Sequence, residues 1–167
     1  MRILLCYFVG CLVLQNADGS IESDCIRKHN LYRNKHGTPA LKYSESIAEE
    51  AQKLAVTLAK QTTKKVTKGI YDVNYFIGDS SVPRTISDAV ENWYTEGNSY
   101  NYKQPEISSS NTRFLELMWK SHEKMGCGMA VAINGANIRT VVVAIYEPAG
   151  MRVDINDYIE NILPAKD

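Results

Sequence analysis

A continuous apolar run in the last third of the chain limits the folds that this sequence can adopt. Residues 138–148 read IRTVVVAIYEP, and every residue from Val141 to Ile145 is apolar. A strand with one face in water alternates between apolar and polar residues, whereas a strand covered on both faces is apolar throughout. The preceding segment 125–133, MGCGMAVAI, is joined to this run by Asn-Gly-Ala-Asn, which favours a hairpin with two or more loop residues. The two segments therefore predict a small antiparallel sheet with a packed layer on each face.

Amphipathic segments supply the helices for those layers. In residues 44–60, SESIAEEAQKLAVTLAK, apolar residues recur at helical spacing along one face. Ser46 and Glu49 fit a capping box at the start of this helix. Further elements are predicted as helices over 21–37, over 85–97 and from Arg113 onward, and as an aromatic-rich strand over 71–78. Helices on both faces of a small, mostly antiparallel sheet give an α+β fold, a three-layer α-β-α sandwich.

The first 19 residues have a different character from the rest of the chain. They begin Met-Arg and continue with an apolar run from Ile3 to Leu14, and the small residues Ala17 and Gly19 follow. The run holds about 12 residues, fewer than the roughly 20 that a membrane-spanning helix needs. The pattern predicts a cleaved signal peptide over 1–19, a single domain over 20–167, secretion, and no integral membrane segment. A buried N-terminal helix is the alternative.

Charge and cysteine content narrow the function classes. Lys and Arg together number 19, as do Asp and Glu, so the formal net charge is zero. Because the chain has no basic excess, we do not expect it to bind a nucleic acid. Removal of the signal peptide would leave Cys25 and Cys127 in an oxidising compartment. Their spacing does not show whether the two sulfur atoms meet, so a disulfide and two separate thiols both stay open.

Four phrases occur in an order that resembles one protein family. They are HNLYRNKHGTPAL at 29–41, WYTEGNSYNYKQP at 93–105, MWKSHEKMGCG at 118–128 and IYEPAG at 145–150. Together they resemble the CAP superfamily, which contains cysteine-rich secretory proteins, antigen 5 and plant pathogenesis-related class 1 proteins. The likeness extends over 25–167 and is greatest to the Golgi-associated plant-pathogenesis-related branch, including the tail ENILPAK. The resemblance implies an α-β-α sandwich, in agreement with the patterns above.

The resemblance also implies a central cleft in which two histidines and two acidic residues can bind a divalent metal. The positions of this chain that match the four are Gln61, Val73, Glu96 and Arg113. Only Glu96 keeps the family's residue type, and Asp72 and Asn74 are possible cleft neighbours. Arginine offers no lone pair and stays protonated, so Arg113 would repel a metal. We therefore expect a degenerate cleft without metal or cofactor, with Arg113 paired to Glu96 or, alternatively, directed to solvent.

The residue types that hydrolysis requires do not form a recognisable pattern. His29, His36 and His122 are interpreted as surface or helix-capping residues, and Cys127 as a packed thiol. We expect no enzyme but a secreted binding module for a lipid or sterol, or for a partner protein in a host–parasite, venom or immune setting. A metal-independent hydrolase and a structural homodimer are the alternatives. The aromatic residues that are candidates to line a binding surface are Tyr71, Tyr75, Phe76, Tyr94, Tyr100 and Tyr102.

Overall fold

The computed structural model describes residues 20–60, 72–150 and 154–166. Within these residues four strands form one sheet in the order β1-β3-β4-β2. The strands are β1 (Lys42–Tyr43), β2 (Asp72–Ser80), β3 (Lys124–Asn134) and β4 (Asn137–Glu147). The central strand β4 pairs antiparallel with both β2 and β3, and the short β1 pairs parallel with β3. The mostly antiparallel sheet predicted from the sequence is confirmed. The predicted signal peptide lies outside the described residues.

The described helices form a layer on each face of this sheet. They are α1 (Ser20–Lys35), α2 (Glu45–Lys60), α3 (Ile86–Thr95), α4 (Thr112–Met118) and α5 (Ile155–Asn161). Helix α2 packs on one face, while α1, α3 and α4 contribute to the apolar cluster on the other. The three-layer α-β-α sandwich is therefore confirmed. None of the described helices is long and apolar enough to span a bilayer.

Strand β4 has the two-sided burial that its uninterrupted apolar sequence predicts. Val141, Val143 and Ile145 pack toward α2, whereas Val142 and Ala144 pack toward the opposite layer. All five are at most 2% exposed. Because side chains alternate along a strand, neighbouring positions of β2 and β3 also face opposite layers.

Two glycines in β3 let α2 lie directly against the sheet. A Cβ atom at Gly126 would overlap the backbone of Ala48, and one at Gly128 would overlap the backbone of Gln52. The side chain of Gln52 uses this closeness, because its amide donates to the carbonyl of Met129 at 2.9 Å and accepts from the same residue's N–H at 2.9 Å. The glycines thus set the distance between the first two layers.

The start of α2 corrects one prediction. The helix begins at Glu45, so Ser46 already lies inside it and the predicted capping box of Ser46 with Glu49 is wrong. A capping box is present instead before α3, where the Thr85 side chain accepts from the Asp88 N–H and the Asp88 carboxylate accepts from the Thr85 N–H. The hairpin between β3 and β4 has a two-residue loop with Gly135 at φ +63°, a left-handed conformation that glycine adopts without strain.

The disulfide question left open by the sequence is answered by the structure. Cys25 of α1 is bonded to Cys127 of β3, with their Cα atoms 6.5 Å apart and a sequence separation of 102. Both residues are buried. The bond fixes α1 to the sheet, and Cys127 is therefore not the packed thiol that was expected.

A buried arginine joins α1 to the end of α4. Arg33 is fully buried, and its guanidinium donates to main-chain carbonyls at the end of α4 and in the turns nearby. The acceptors are the carbonyl oxygens of Pro39, Leu117, Trp119 and His122, at 2.7–3.1 Å. A helix end leaves carbonyls without intrahelical partners, and this side chain satisfies them without water.

Candidate functional site

An ion pair joins two of the residues that the family resemblance assigns to the cleft. Arg113 lies in the first turn of α4, and Glu96 begins the short 3-10 turn (Glu96–Ser99) that follows α3. Arg113 Nε donates to Glu96 Oε1 at 2.6 Å, and Nη2 contacts the same oxygen. The backbone N–H of Arg113 donates to Oε2 at 3.2 Å. The Glu96 side chain is only 12% exposed, so this contact, which the sequence predicted, forms in a partly dehydrated environment.

Asn74 connects this pair to the sheet. Its side-chain amide is fully buried and donates to the Arg113 carbonyl at 2.8 Å and to the Tyr146 hydroxyl at 3.1 Å. Asp72 lies on the same face of β2, since alternate residues share a face. Val73 faces the opposite layer, where it packs with the cluster under α2. The structure thus brings Glu96, Arg113 and Asn74 together, leaves Val73 on the other side of the sheet, and does not describe Gln61.

The Tyr146 hydroxyl continues a buried hydrogen-bond chain. It lies 3.0 Å from His29 Nε2, while His29 Nδ1 lies 2.8 Å from the carbonyl oxygen of Cys25. Every atom has a suitable partner when His29 is neutral, with Nδ1 donating and Nε2 accepting. Burial lowers the pKa of His29 to about 4 and raises that of the Tyr146 hydroxyl. His29 and the Tyr146 hydroxyl are therefore both neutral at pH 7.

His122 lies on the other side of Tyr146 and is enclosed by oxygen atoms. Its ring stacks on the Tyr146 ring with centroids 5.1 Å apart. Nδ1 lies 3.0 Å from the Glu116 carbonyl, and Nε2 lies 3.1 Å from Asp72 Oδ2 and 4.0 Å from Glu116 Oε2. The side chain of His122 has no exposed surface. Two acidic side chains and one imidazole thus meet beneath α4.

The expectation of surface or capping roles for the histidines was wrong. The chain turns back after α4 through a bond from the His122 N–H to the Trp119 carbonyl, which returns His122 to the interior. His36 is covered by the C-terminal tail, because its Nδ1 lies 2.7 Å from the Leu163 carbonyl and its Nε2 lies 3.0 Å from the Tyr94 hydroxyl. The linear pattern missed both, since Asp72 and Tyr146, which help to enclose His122, and Leu163, which covers His36, are distant in sequence.

Several aromatic residues proposed as a binding surface serve packing. Tyr94 stacks on Tyr32 with ring centroids 3.7 Å apart, and Tyr100 meets Tyr102 edge-on at 4.9 Å. Burial raises the pKa of both Tyr100 and Tyr102 to about 12, so their hydroxyls stay neutral. Phe76 packs in the cluster beneath α1, α3 and α4.

Tyr75 does not share a surface with these residues. Tyr75 packs on the α2 side of the sheet, opposite Phe76. Tyr71 lies outside the described residues.

One histidine–cysteine contact resembles a nucleophile beside its base but is not available for that chemistry. Cys25 Sγ lies 3.6 Å from His29 Nδ1. The sulfur is committed to the bond with Cys127, and both Cys25 and His29 are fully buried. Cys25 therefore cannot act as a thiolate nucleophile while the disulfide is intact.

The chain shares most of its length with proteins of one family. The sequence model of the cysteine-rich secretory protein family, CAP, matches residues 26–146. The chain belongs to this family. Golgi-associated plant pathogenesis-related protein 1 of Homo sapiens is 33% identical over 156 residues, which cover 91% of this chain and 98% of the human protein. Pathogenesis-related protein 1 of Arabidopsis thaliana is 25% identical over 156 residues, which cover 93% and 94%.

Solved structures of CAP proteins have the same fold. The hookworm platelet inhibitor gives a TM-score of 0.66 at 20% identity, over 91% of this chain and 82% of that one. Venom allergen-like protein 4 of Schistosoma mansoni gives 0.57 at 18% identity, over 90% and 97%. The family model and the human relative confirm the family resemblance that the four phrases indicated. The names of these relatives specify no enzymatic activity.

Proposed function

We propose that this chain is a secreted, non-catalytic CAP-domain binding protein whose family metal cleft is closed by an ion pair. The contact between Glu96 and Arg113 carries the proposal. Arg113 stands where the matching family position holds a histidine, and a guanidinium cannot donate a lone pair to a metal. Its Nε and backbone N–H also engage both oxygens of Glu96, the acid that the cleft retains. The protein therefore presents a fixed polar surface at this place.

The environment of two histidines supports the absence of catalysis. His29 and His36 each have a partner at both ring nitrogens, so neither offers a free nitrogen to a substrate. A general base must reach the proton that it abstracts, and these rings are at most 4% exposed. The alternative of a metal-independent hydrolase therefore has less support than a binding role.

The ligand is a partner protein or a lipid such as a sterol. A cleft of about 430 Å³ opens beside β2 and α3, and Phe76, Arg84, Asp88 and Glu91 contribute to its lining. If an acyl chain or sterol filled this cleft, the charged side chains of the lining would lose water and gain no hydrogen-bond partner from the ligand. This lining favours a polar protein surface as the ligand of that cleft. A structural homodimer is the remaining alternative, which small-angle scattering at several concentrations tests.

A turnover assay tests the central point. The purified protein is incubated with casein and with fluorogenic esters, beside the variant Glu96→Gln, which keeps the shape of the side chain and removes its charge. We expect both proteins to show only the background rate. Saturable turnover in the wild type that the variant loses would mean that the cleft is catalytic and the proposal is wrong. Titration of delipidated protein with a fluorescent sterol separates the two ligand classes.

Secretion is proposed from the apolar run at the N-terminus and from the secretory description of the family. The Golgi association in the human relative's name is the alternative location. Expression of the whole chain in eukaryotic cells tests the point. We expect the protein in the medium, with mass spectrometry placing the new N-terminus near Ser20. An intact N-terminus in the cell fraction would contradict secretion.

A further inference from the structure

We propose that Asp72, Glu116 and His122 form a binding site for a divalent transition-metal ion such as Zn²⁺. None of the three residues matches a position of the family's histidine–acid cleft. The site lies beneath α4, and Asn74 and Tyr146 connect it to the Arg113 carbonyl. Asn74 bonds to this carbonyl and to the Tyr146 hydroxyl, and the Tyr146 ring stacks on His122. The inference is independent of the closed cleft, because it leaves the Glu96–Arg113 pair without metal.

The three ligand atoms have the spacing that one ion requires. Asp72, Glu116 and His122 each offer one ligand atom, and these three atoms lie within 4.8 Å of one another. His122 Nε2 lies 3.1 Å from Asp72 Oδ2 and 4.0 Å from Glu116 Oε2. Tetrahedral zinc with bonds of about 2.1 Å places its ligands about 3.4 Å apart. Shifts of an ångström or less therefore bring the three atoms to bonding distance, with a fourth position left for water on the partly exposed Asp72 side.

The hydrogen bonding of His122 prepares its ring for a metal. The Glu116 carbonyl can only accept, so Nδ1 must carry a proton, and in the neutral ring the lone pair then resides on Nε2. This lone pair points at the Asp72 carboxylate, which is also an acceptor. Two acceptors 3.1 Å apart repel each other unless a proton or a metal ion lies between them. An Nδ1–H bond to a carbonyl is the arrangement that orients metal-ligating histidines.

The groups around the site hold the ligands in place and set its charge. The Tyr146 ring fixes the plane of the imidazole by stacking, and the Gly150 N–H donates to Asp72 Oδ2 at 2.8 Å. The side chains of Asp72 and Glu116 are 18% and 7% exposed. Carboxylate oxygens in such a partly dehydrated place attract a dication more strongly than carboxylates in water do. The guanidinium of Arg33 donates to the His122 carbonyl, and this nearby positive charge lowers the affinity of the site for a metal cation.

Metal titration tests the proposal with little interference from other histidines. The chain has three histidines, and the other two have both ring nitrogens engaged. Reductant must be left out, because reduced Cys25 and Cys127 together with His29 would offer a second cluster of ligands. Thermal unfolding is followed with ZnCl₂ added to protein stripped with chelator. Absorption of added Co²⁺ in the visible range reports the ligand geometry separately.

The variants are chosen to keep side-chain shape while removing one ligand. Asp72→Asn and Glu116→Gln each lose a charged oxygen, and Glu96→Gln is the matched control at the ion pair. We expect a saturable rise in Tm for the wild type and for Glu96→Gln, and its loss in both other variants. The informative quantity is the change in Tm that zinc produces in each protein, because Asp72 Oδ2 also accepts from the Gly150 N–H and its replacement alters stability without metal.

Each contrary outcome has a distinct meaning. If added zinc leaves the Tm of the wild type unchanged and added Co²⁺ gives no visible absorption from bound metal, there is no such site. The proposal of a closed cleft would not be affected by this result. A response that survives in Asp72→Asn and Glu116→Gln but disappears in Glu96→Gln would overturn both this proposal and the closed cleft.

Discussion

Acidification from pH 7 to pH 5 should weaken the fold through His29. Burial is the main cause that lowers the pKa of this residue to about 4, the charge of Arg33 adds to it, and the hydrogen bond to the Cys25 carbonyl opposes it. In the unfolded chain the pKa returns to its ordinary value of 6.5. Between these values the unfolded state takes up a proton that the native state does not bind. Stability is therefore complete above pH 6.5 and is lost as the pH falls toward 4.

The size of the effect follows from the two pKa values. At pH 5 the unfolded histidine is almost fully protonated, while the native one is mostly neutral. The free energy of unfolding is thus expected to be lower by about 2 kcal/mol at pH 5 than at pH 7 from this residue alone. That is a large part of the roughly 5–15 kcal/mol by which a domain is stable.

Urea unfolding at the two pH values measures the effect, with His29→Gln as the control. The variant will be less stable in absolute terms, because it disturbs the bond to the Tyr146 hydroxyl. The informative quantity is the difference between pH 7 and pH 5, which should be about 2 kcal/mol smaller in the variant than in the wild type. Equal differences in the two proteins would refute the reasoning, since the titrating group would then lie elsewhere.

The remaining predictions concern packing and covalent structure. Gly128→Ala should lower stability by about 1–3 kcal/mol, because its Cβ overlaps the α2 backbone, whereas Gly150→Ala, with nothing within 4 Å of the added carbon, should be close to neutral in the same urea assay. Arg33→Lys should cost several kcal/mol, since a lysine cannot reach all the carbonyls that the guanidinium bonds; a Tm near that of the wild type would contradict this. Replacing both Cys25 and Cys127 by alanine should cost about 2–5 kcal/mol by freeing a long loop in the unfolded state, and an unchanged urea midpoint would contradict it.

The layers of the fold could be predicted because local patterns determine them. The apolar run Val141 to Ile145 requires cover on both faces, and it receives that cover. The contact between Arg113 and Glu96 was also predicted, because the family phrases bring both positions to one cleft. In each case the signal lies within a short stretch or within a phrase that can be aligned.

Other parts of the site depend on strand register and on tertiary contacts, which the sequence by itself does not specify. Matching of phrases assigns the missing acid to Val73, yet a shift of one residue along a strand reverses the face, so Asp72 and Asn74 point toward α4 instead. His122 reads as exposed because its neighbours are charged, but a backbone turn and α4 bury it. The pairing of Cys25 with a partner 102 residues away likewise depends on the tertiary fold.

The coupling energy between Glu96 and Arg113 tests most directly whether a guanidinium has closed the family's cleft. A double-mutant cycle isolates this coupling energy. It compares the free energies of unfolding in urea of the wild type, Glu96→Gln, Arg113→Met and the combined variant. Because the Arg113 side chain is 35% exposed, solvent screening reduces the expected coupling to about 1 kcal/mol. A coupling of this size would agree with the account. Strictly additive effects of the two substitutions would contradict it, because the cation would then not be held at the cleft.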